Sequence, residues 1–473
     1  MRESLSWQRV VVTFLVVRMI GSLLHAFAPV TKPHMWRQVD TMGVALRYAR
    51  RWTIEADDFA WWIPSVLNSG DTRGIMAMEF PLVNMLGALG FLVAGHDVDL
   101  GRMLAQLFLM VFITALIFWN WKVWSKTSML VARGVLFASC LGFATPFTAK
   151  FMPDLTAMLL ATLGVGMIVS RRLLGVVLLG LGTLVKPTAA PVVGLVCLLP
   201  FLDCSAMGKS FSRADVLRSL ILCMTAGLFP AAWYLRVVPY LTSLEEGVSL
   251  FTIYNKPDLL NFLSSFWSSM GVYDVIHFHA IFPFGLIVLF IGLLIVLRQR
   301  LSSASVEITY FTGLMLGFVL LVQLSFIGAV SGDHAALHVY YLLAVGPTIG
   351  IAVELIWRRV NSPWWKLFIC VGLLARASEA FFADTKGYWD KSQGPSLFTE
   401  CRSLREFKDA PWGQGVVWRT PIEEFPLIEL CLGERGRSAK SKWGIIHSGQ
   451  KVGETCEVVK AAPRLSLIRC AES

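Results

Sequence analysis

A polytopic α-helical membrane protein with a small exported C-terminal domain is the fold class that this chain predicts. Three observations predict it. Hydrophobic residues make up 55% of the 473 residues and charged residues only 16%, with a mean hydropathy of +0.62. A soluble protein of this length could not hide that much apolar surface. Apolar runs long enough to cross a bilayer recur along the chain. Basic residues fall in alternate gaps between those runs, so the net charge of +10 reports topology rather than a nucleic-acid partner.

We read about 11 spans, near 10–28, 102–123, 129–148, 155–170, 173–186, 188–203, 217–236, 279–297, 307–329, 339–357 and 365–382. The first lacks a small-residue cleavage site and reads as a signal anchor. The fifth and sixth are short enough to form a hairpin that does not fully cross. The apolar run from Phe80 to Gly95 is brief and flanked by Pro81 and His96-Asp97, which suits a helix lying at the interface. With the N-terminus cytosolic, every inside gap is basic: Lys122/Lys126, Arg171-Arg172, Lys209/Arg213/Arg218, Arg298/Arg300 and Arg358-Arg359. The outside gaps hold most of the acids, among them Asp40, Glu79, Asp154 and Asp333. An odd number of spans then exports the C-terminal tail. We divide the chain into a transmembrane domain, 1–382, and an extracytoplasmic α+β domain, 383–473.

The nine cysteines follow this division. Cys140, Cys197, Cys204, Cys223 and Cys370 lie in or beside spans as packing residues. Cys401, Cys431, Cys456 and Cys470 lie in the tail; outside the cytosol they suit two disulfides, with three pairings open.

Polytopic proteins usually keep their loops short, yet the first outer loop, about 29–101, is long and carries chemistry-bearing residues. An acid at the edge of a bilayer suggests chemistry on a lipid-borne substrate. Asp40 lies three residues after Arg37, so on a helix the two share a face. A partly desolvated Asp there suits a general base; the ordinary alternative is a surface ion pair or a helix cap. Asp154 opens the fourth span on the same outer side, with an N-cap as its ordinary role. Glu79 is a candidate substrate-binding residue; it precedes a helix start, and its ordinary alternative is to serve that start electrostatically. Lys186, at the outer end of an apolar hairpin, either faces a cavity or partner or snorkels to headgroups. Arg102 is a lone outer cation, which suggests an anionic partner. His334, His338 and Tyr341 share a helical spacing and could donate to a phosphate, while Tyr340 suits an interfacial aromatic belt. No Walker loop, H-E-x-x-H or G-x-S-x-G motif occurs, which argues against an ATP-driven pump or a zinc protease.

Taken in order, W-R-Q-x-D at 36–40, E-F-P at 79–81, M-P-D at 152–154, L-V-K-P at 184–187 and H-x-Y-Y-L-L at 338–343 resemble the GT-C membrane glycosyltransferases. The branch is the bacterial protein-mannosyltransferase and lipid A aminoarabinose-transferase type, glycosyltransferase family 39. The resemblance covers about residues 10–360. It implies a GT-C fold in a bacterial inner membrane with its active site facing the periplasm. It also implies transfer of a sugar from a polyprenyl phosphate, with inversion, to a lipid, glycan or protein acceptor, as in lipopolysaccharide or glycan modification. The catalytic acids map to Asp40 and Asp154. The phosphate-contacting Tyr maps to Tyr341, with Tyr340 as the register alternative. Two departures stand out. Phe80 occupies a position that carries a cation in some relatives, so that role falls to Arg37 or Lys186. Thr41 follows Asp40 where many relatives have a second acid, which leaves both the orientation of the base and a divalent metal open.

Two other classes fit the chain less well. A lipid-linked sugar transporter or flippase needs ionisable groups at mid-membrane and a path to the cytosolic side, whereas here the polar residues gather outside. A glycan ligase or polymerase keeps a large Arg-rich outer loop late in the chain, whereas 237–278 contains only Lys256 as a basic residue. A nonenzymatic scaffold leaves the long first loop unexplained.

Overall fold

The structure, a computed structural model, describes residues 35–53, 61–65, 78–95, 97–140, 151–202, 211–244, 305–331, 343–359, 416–418, 443–448, 456–461 and 465–470, with isolated positions within 12–24, at 75 and at 403–404. Helices dominate. In chain order they are α1 (Met35–Thr53), α2 (Leu82–Val93), α3 (Val98–Thr127), α4 (Met129–Cys140), α5 (Asp154–Val169) and α6 (Leu174–Val185). There follow α7 (Pro187–Phe201), α8 (Arg213–Ser243), α9 (Ser305–Ser331) and α10 (Gly346–Arg359). Among the described residues, α3 and α8 are long and apolar enough to cross a bilayer by themselves. The other predicted spans show shorter apolar stretches, such as Gly313–Ile327 within α9, or, as with 279–297 and 365–382, lie outside the described residues.

Helix ends follow local chemistry. Asp97 caps α3 by accepting from the Leu100 amide. Ser212 and Asp215 form a reciprocal capping box at the start of α8. The turn from α5 to α6 is a Schellman motif: Arg172 N donates to Met167 O and Arg171 N to Ile168 O. Arg171 takes the left-handed position at φ 63° where glycine is usual.

Packing is by small residues and buried polar groups, as the membrane reading requires. Asn120 and Trp124 of α3 donate to Leu159 O and Thr162 O of α5 at 2.9 and 3.0 Å. Those pairs make α3 and α5 run in parallel. The run predicted as an interfacial helix is α2, 12 residues and about 18 Å long. It packs antiparallel to the first turns of α3, where Gly90 abuts the Ala105 backbone and Gly101 abuts Phe91. The sixth predicted span is α7, which opens and closes as 3-10 helix around Pro191 and Pro200. Gln323 of α9 donates to Pro191 O at 2.8 Å and accepts from Thr348 of α10 at 2.9 Å, which holds this irregular segment in place. The Pro191 carbonyl is thereby met inside the protein, as irregular backbone in a bilayer requires.

The tail contains a four-stranded sheet ordered β1-β2-β4-β3, from β1 (Val416–Trp418), β2 (Trp443–His447), β3 (Cys456–Ala461) and β4 (Leu465–Cys470). β1 and β2 are parallel; β2–β4 and β3–β4 are antiparallel. Cys456 and Cys470 face each other across the β3–β4 pair and form a disulfide, which selects among the pairings left open by the sequence. Cys401 and Cys431 lie outside the described residues. Cys197 and Cys223 are free thiols packed in the bundle, as expected for span cysteines.

Candidate active site

The site begins with the α5–α6 hairpin. Its two helices touch backbone to backbone because glycines face the contact. A Cβ on Gly164 would lie 2.3 Å from Leu179 N, and one on Gly182 would lie 2.6 Å from Ala161 N. This close antiparallel approach returns the end of α6 to the start of α5. Asp154, first residue of α5, and Lys186, just past α6, therefore meet although 32 residues separate them. Lys186 Nζ lies 3.8 Å from Asp154 Oδ1. Asp154 does not take the N-cap role that was its ordinary alternative: Pro153 holds that position, and the carboxylate lies toward Lys186. Lys186 does not snorkel either. It is 5% exposed and adopts extended backbone at φ −155°, which turns its side chain off the helix.

The third member comes from the segment just before α2. Glu79 Oε1 accepts from Lys186 Nζ at 2.5 Å, and Glu79 and Asp154 are 6% and 3% exposed. The chain on either side of Glu79 is pinned. Trp233 Nε1 donates to Met78 O at 3.1 Å, and Phe80 N donates to Leu184 O at 3.3 Å. Tyr234 OH reaches the same Leu184 carbonyl at 3.0 Å. Trp233 and Tyr234 lie where α8 widens into a π-turn, Trp233–Val237, a distortion often found at functional sites. Phe80 packs edge-on against Trp233 with ring centroids 5.1 Å apart. That position is hydrocarbon packing in this chain.

α1 docks on this assembly. Asn84, in the first turn of α2, donates to Thr41 O at 2.8 Å. Arg51 donates to Ile63 O and Ser65 Oγ at 2.6 and 2.7 Å, and Tyr48 OH donates to Trp62 O at 2.8 Å. Burial pushes the Tyr48 phenol far above its ordinary pKa, with Arg51 opposing, so it stays a proton donor. Arg37 and Asp40 both lie within α1, and position 40 immediately precedes Thr41, whose carbonyl Asn84 of α2 holds.

The structure thus brings together Glu79, Asp154 and Lys186. It does not bring Arg102 to them. Arg102 is buried one turn into α3, near the tip of the α2–α3 hairpin. By the α3–α5 register it stands about 20 Å along the helix from the level of Asp154. His334, His338, Tyr340 and Tyr341 lie outside the described residues. Among the described residues, no three His, Cys, Asp or Glu side chains gather as metal ligands would. Sequence reasoning missed Trp233, Tyr234 and Asn84, which position the cluster. It also missed the ion pair between Arg133 of α4 and Glu354 of α10, buried at 6% and 1% exposure. Charges inside apolar runs at 129–148 and 339–357 were the available signal.

Chemically, the cluster is two carboxylates sharing one ammonium in a setting shielded from water. Carboxylates so placed can hold a hydroxyl or take a proton, and an ammonium can meet an anionic group at close to full strength.

No family model matches the chain, and no curated protein matches its sequence. Among solved structures it is similar to ArnT from Cupriavidus metallidurans, both bound to undecaprenyl phosphate, at a TM-score of 0.51, and in the apo state, at 0.50. Each match has 11% sequence identity and covers 97% of both chains. The likeness is one of fold, and it extends through the C-terminal tail. It agrees with the GT-C architecture of the lipid A aminoarabinose-transferase type that the ordered motifs implied.

Proposed function

We propose that this protein is a membrane glycosyltransferase that moves a sugar, with inversion at C1, from a polyprenyl phosphate to a hydroxyl group on the outer face of the membrane. The acceptor class is a lipid, a glycan or a protein. One observation carries the reading: a carboxylate–ammonium–carboxylate cluster, Glu79–Lys186–Asp154, buried beside the helix that bears Asp40, in a chain with the ArnT fold. ArnT binds undecaprenyl phosphate, which supports a polyprenyl phosphate as the donor's carrier.

The chemistry follows from the residue types. Asp40 accepts the proton of the acceptor hydroxyl as its oxygen attacks C1 from the face opposite the phosphate. The C1–O bond to the phosphate breaks, and the lipid phosphate leaves with the electron pair. Asp154 orients the acceptor or the base. Lys186, with His338 and Tyr341, stabilises the charge that develops on the leaving phosphate, where a low dielectric strengthens such help.

The test is transfer of radiolabelled sugar from a panel of polyprenyl-phosphate sugars to native acceptors in membrane extract, by wild type and Asp40→Asn side by side. We expect transfer by wild type and turnover lower by about 10²–10⁴-fold in the variant, with its fold intact. Near-normal turnover in the variant removes Asp40 from the role of base. No consumption of any donor by wild type, with equal binding of the lipid by both proteins, moves the assignment to a transporter or scaffold.

A further inference from the structure

We infer that the outer end of α8 binds the headgroup of an anionic bilayer lipid, with Arg236 as the cation that meets its phosphate and Tyr240 beside it. The inference takes its sidedness from the glycosyl-transfer reading. It concerns the lipid-facing side of the helix whose other side holds the buried cluster.

Three observations carry it. The first is a match of lengths. Arg218 and Arg236 both occupy exposed positions of α8. At the rise of an α-helix they stand about 27 Å apart along its axis, close to the thickness of a bilayer's hydrocarbon core. The second is what lies between them. Ile221, Met224, Leu228 and Leu235 are exposed, whereas Cys223, Ala226 and Trp233 face inward and are buried. Thr225, exposed in the same stretch, donates its hydroxyl to Ile221 O at 3.0 Å, which spares it an unmet donor in hydrocarbon. This stretch suits lipid chains, and the arginines at its ends suit the two headgroup layers.

The third is the setting of Arg236. It belongs to the π-turn Trp233–Val237, and Tyr240, also exposed, follows one turn later. A guanidinium presents a planar fork of donors that fits phosphate oxygens at two points, and Tyr is favoured at headgroup depth. With the N-terminus cytosolic, Arg236 stands on the outer side, so the basic bias of the inner gaps does not account for it. An anionic headgroup neutralises the guanidinium, whereas a zwitterionic one brings an ammonium of its own. The site also fixes a depth. The same π-turn holds the segments of the buried cluster: Trp233 donates to Met78 O, and Tyr234 donates to Leu184 O, just before Lys186. A headgroup bound at Arg236 keeps Lys186 near the level at which a lipid-borne phosphate arrives.

The experiment photo-crosslinks the full-length protein in vesicles of phosphatidylcholine with phosphatidylglycerol as the minor lipid. The crosslinker is p-benzoylphenylalanine in place of Ala232, an exposed position one turn nearer the bilayer centre than Arg236. There it meets the chains of a lipid whose headgroup Arg236 holds, and mass spectrometry identifies what is captured. We expect phosphatidylglycerol to be captured about fivefold above its share of the vesicle. Arg236→Gln should bring capture down to that share, and Arg236→Lys should keep part of the excess, as a point charge without the fork. Capture at the bulk ratio with Arg236 present overturns the inference, and so does an excess that survives Arg236→Gln. Capture of protein instead of lipid shows that another segment or a second copy covers this face, and overturns it as well. Capture does not require catalysis, so sugar transfer is measured separately in the same vesicles. Enrichment of phosphatidylglycerol without transfer by wild type removes the transferase reading and leaves the lipid site standing.

Discussion

Gly182→Ala is the substitution that most directly tests how the fold builds the site. Gly182 sits one turn before Lys186, and its carbonyl accepts the Lys186 amide at 3.1 Å. Its missing side chain faces Ala157 and Ala161, one and two turns into α5 from Asp154. An added Cβ would lie 2.6 Å from Ala161 N against the 3.4 Å of ordinary contact, so the helices must part by about 0.8 Å. The neighbouring atoms are α5 backbone, which has no rotamer to yield. Alanine gains about 1 kcal/mol of helix propensity over glycine, but overpacking costs about 1–3 kcal/mol, so the net effect is destabilising. Function should suffer more than folding. The Lys186–Asp154 distance of 3.8 Å opens by the same amount, and a misplacement near 1 Å costs roughly 10²-fold in rate. The assay is sugar transfer by the purified variant in proteoliposomes, with intrinsic tryptophan fluorescence to follow thermal unfolding. Gly317→Ala is the control, because a Cβ there meets nothing within 4 Å. Wild-type turnover in Gly182→Ala would refute the argument that backbone contact in the hairpin sets the site.

Two further outcomes follow from other parts of the molecule. Arg133→Met leaves Glu354 charged and buried, so thermal unfolding in detergent should show a loss of about 3–5 kcal/mol, most of it recovered in the double variant Arg133→Met/Glu354→Leu; a single variant as stable as wild type would remove this pair from the packing of α4 on α10. Tyr341→Phe should raise donor KM in the transfer assay, and an unchanged KM would argue against a phosphate contact.

What could be read from the sequence depended on whether a feature is local. Span positions, helix starts and the sidedness of charge are properties of short segments, and α3, α5, α6, α8, α9 and α10 fall close to their predicted places. Asp154, Lys186 and Glu79 were each visible as an ionisable group beside an apolar run. Their partnership was not, because Glu79 and Lys186 are 107 residues apart and no periodicity links them. The common side of the membrane expected for all three was the available hint. The glycines of the α5–α6 contact have the same limitation: their spacing says that small residues face something, but not which helix. Asp154 as an N-cap failed for a tertiary reason. Pro153 supplies a helix start without a side-chain cap, which releases the acid toward Lys186.

The two ends of the α5–α6 hairpin hold the same kinds of group and put them to different uses. At one end Arg171 and Asp215 pair at 3.0 Å, with the Arg side chain 61% exposed. Water and salt screen that contact, and it contributes little beyond tidying the turn and the capping box of α8. At the other end Lys186 meets Glu79 and Asp154 with all three side chains almost fully buried. Taking those charges out of water carries a desolvation cost of several kcal/mol per ion, and a well-packed apolar trio would serve folding equally well or better. Stability therefore does not explain the buried end. Ionisable groups held at such cost inside a membrane protein mark the place where it handles charge, and the hairpin, held by the Met78–Phe80 segment and by α8, keeps them in one geometry there.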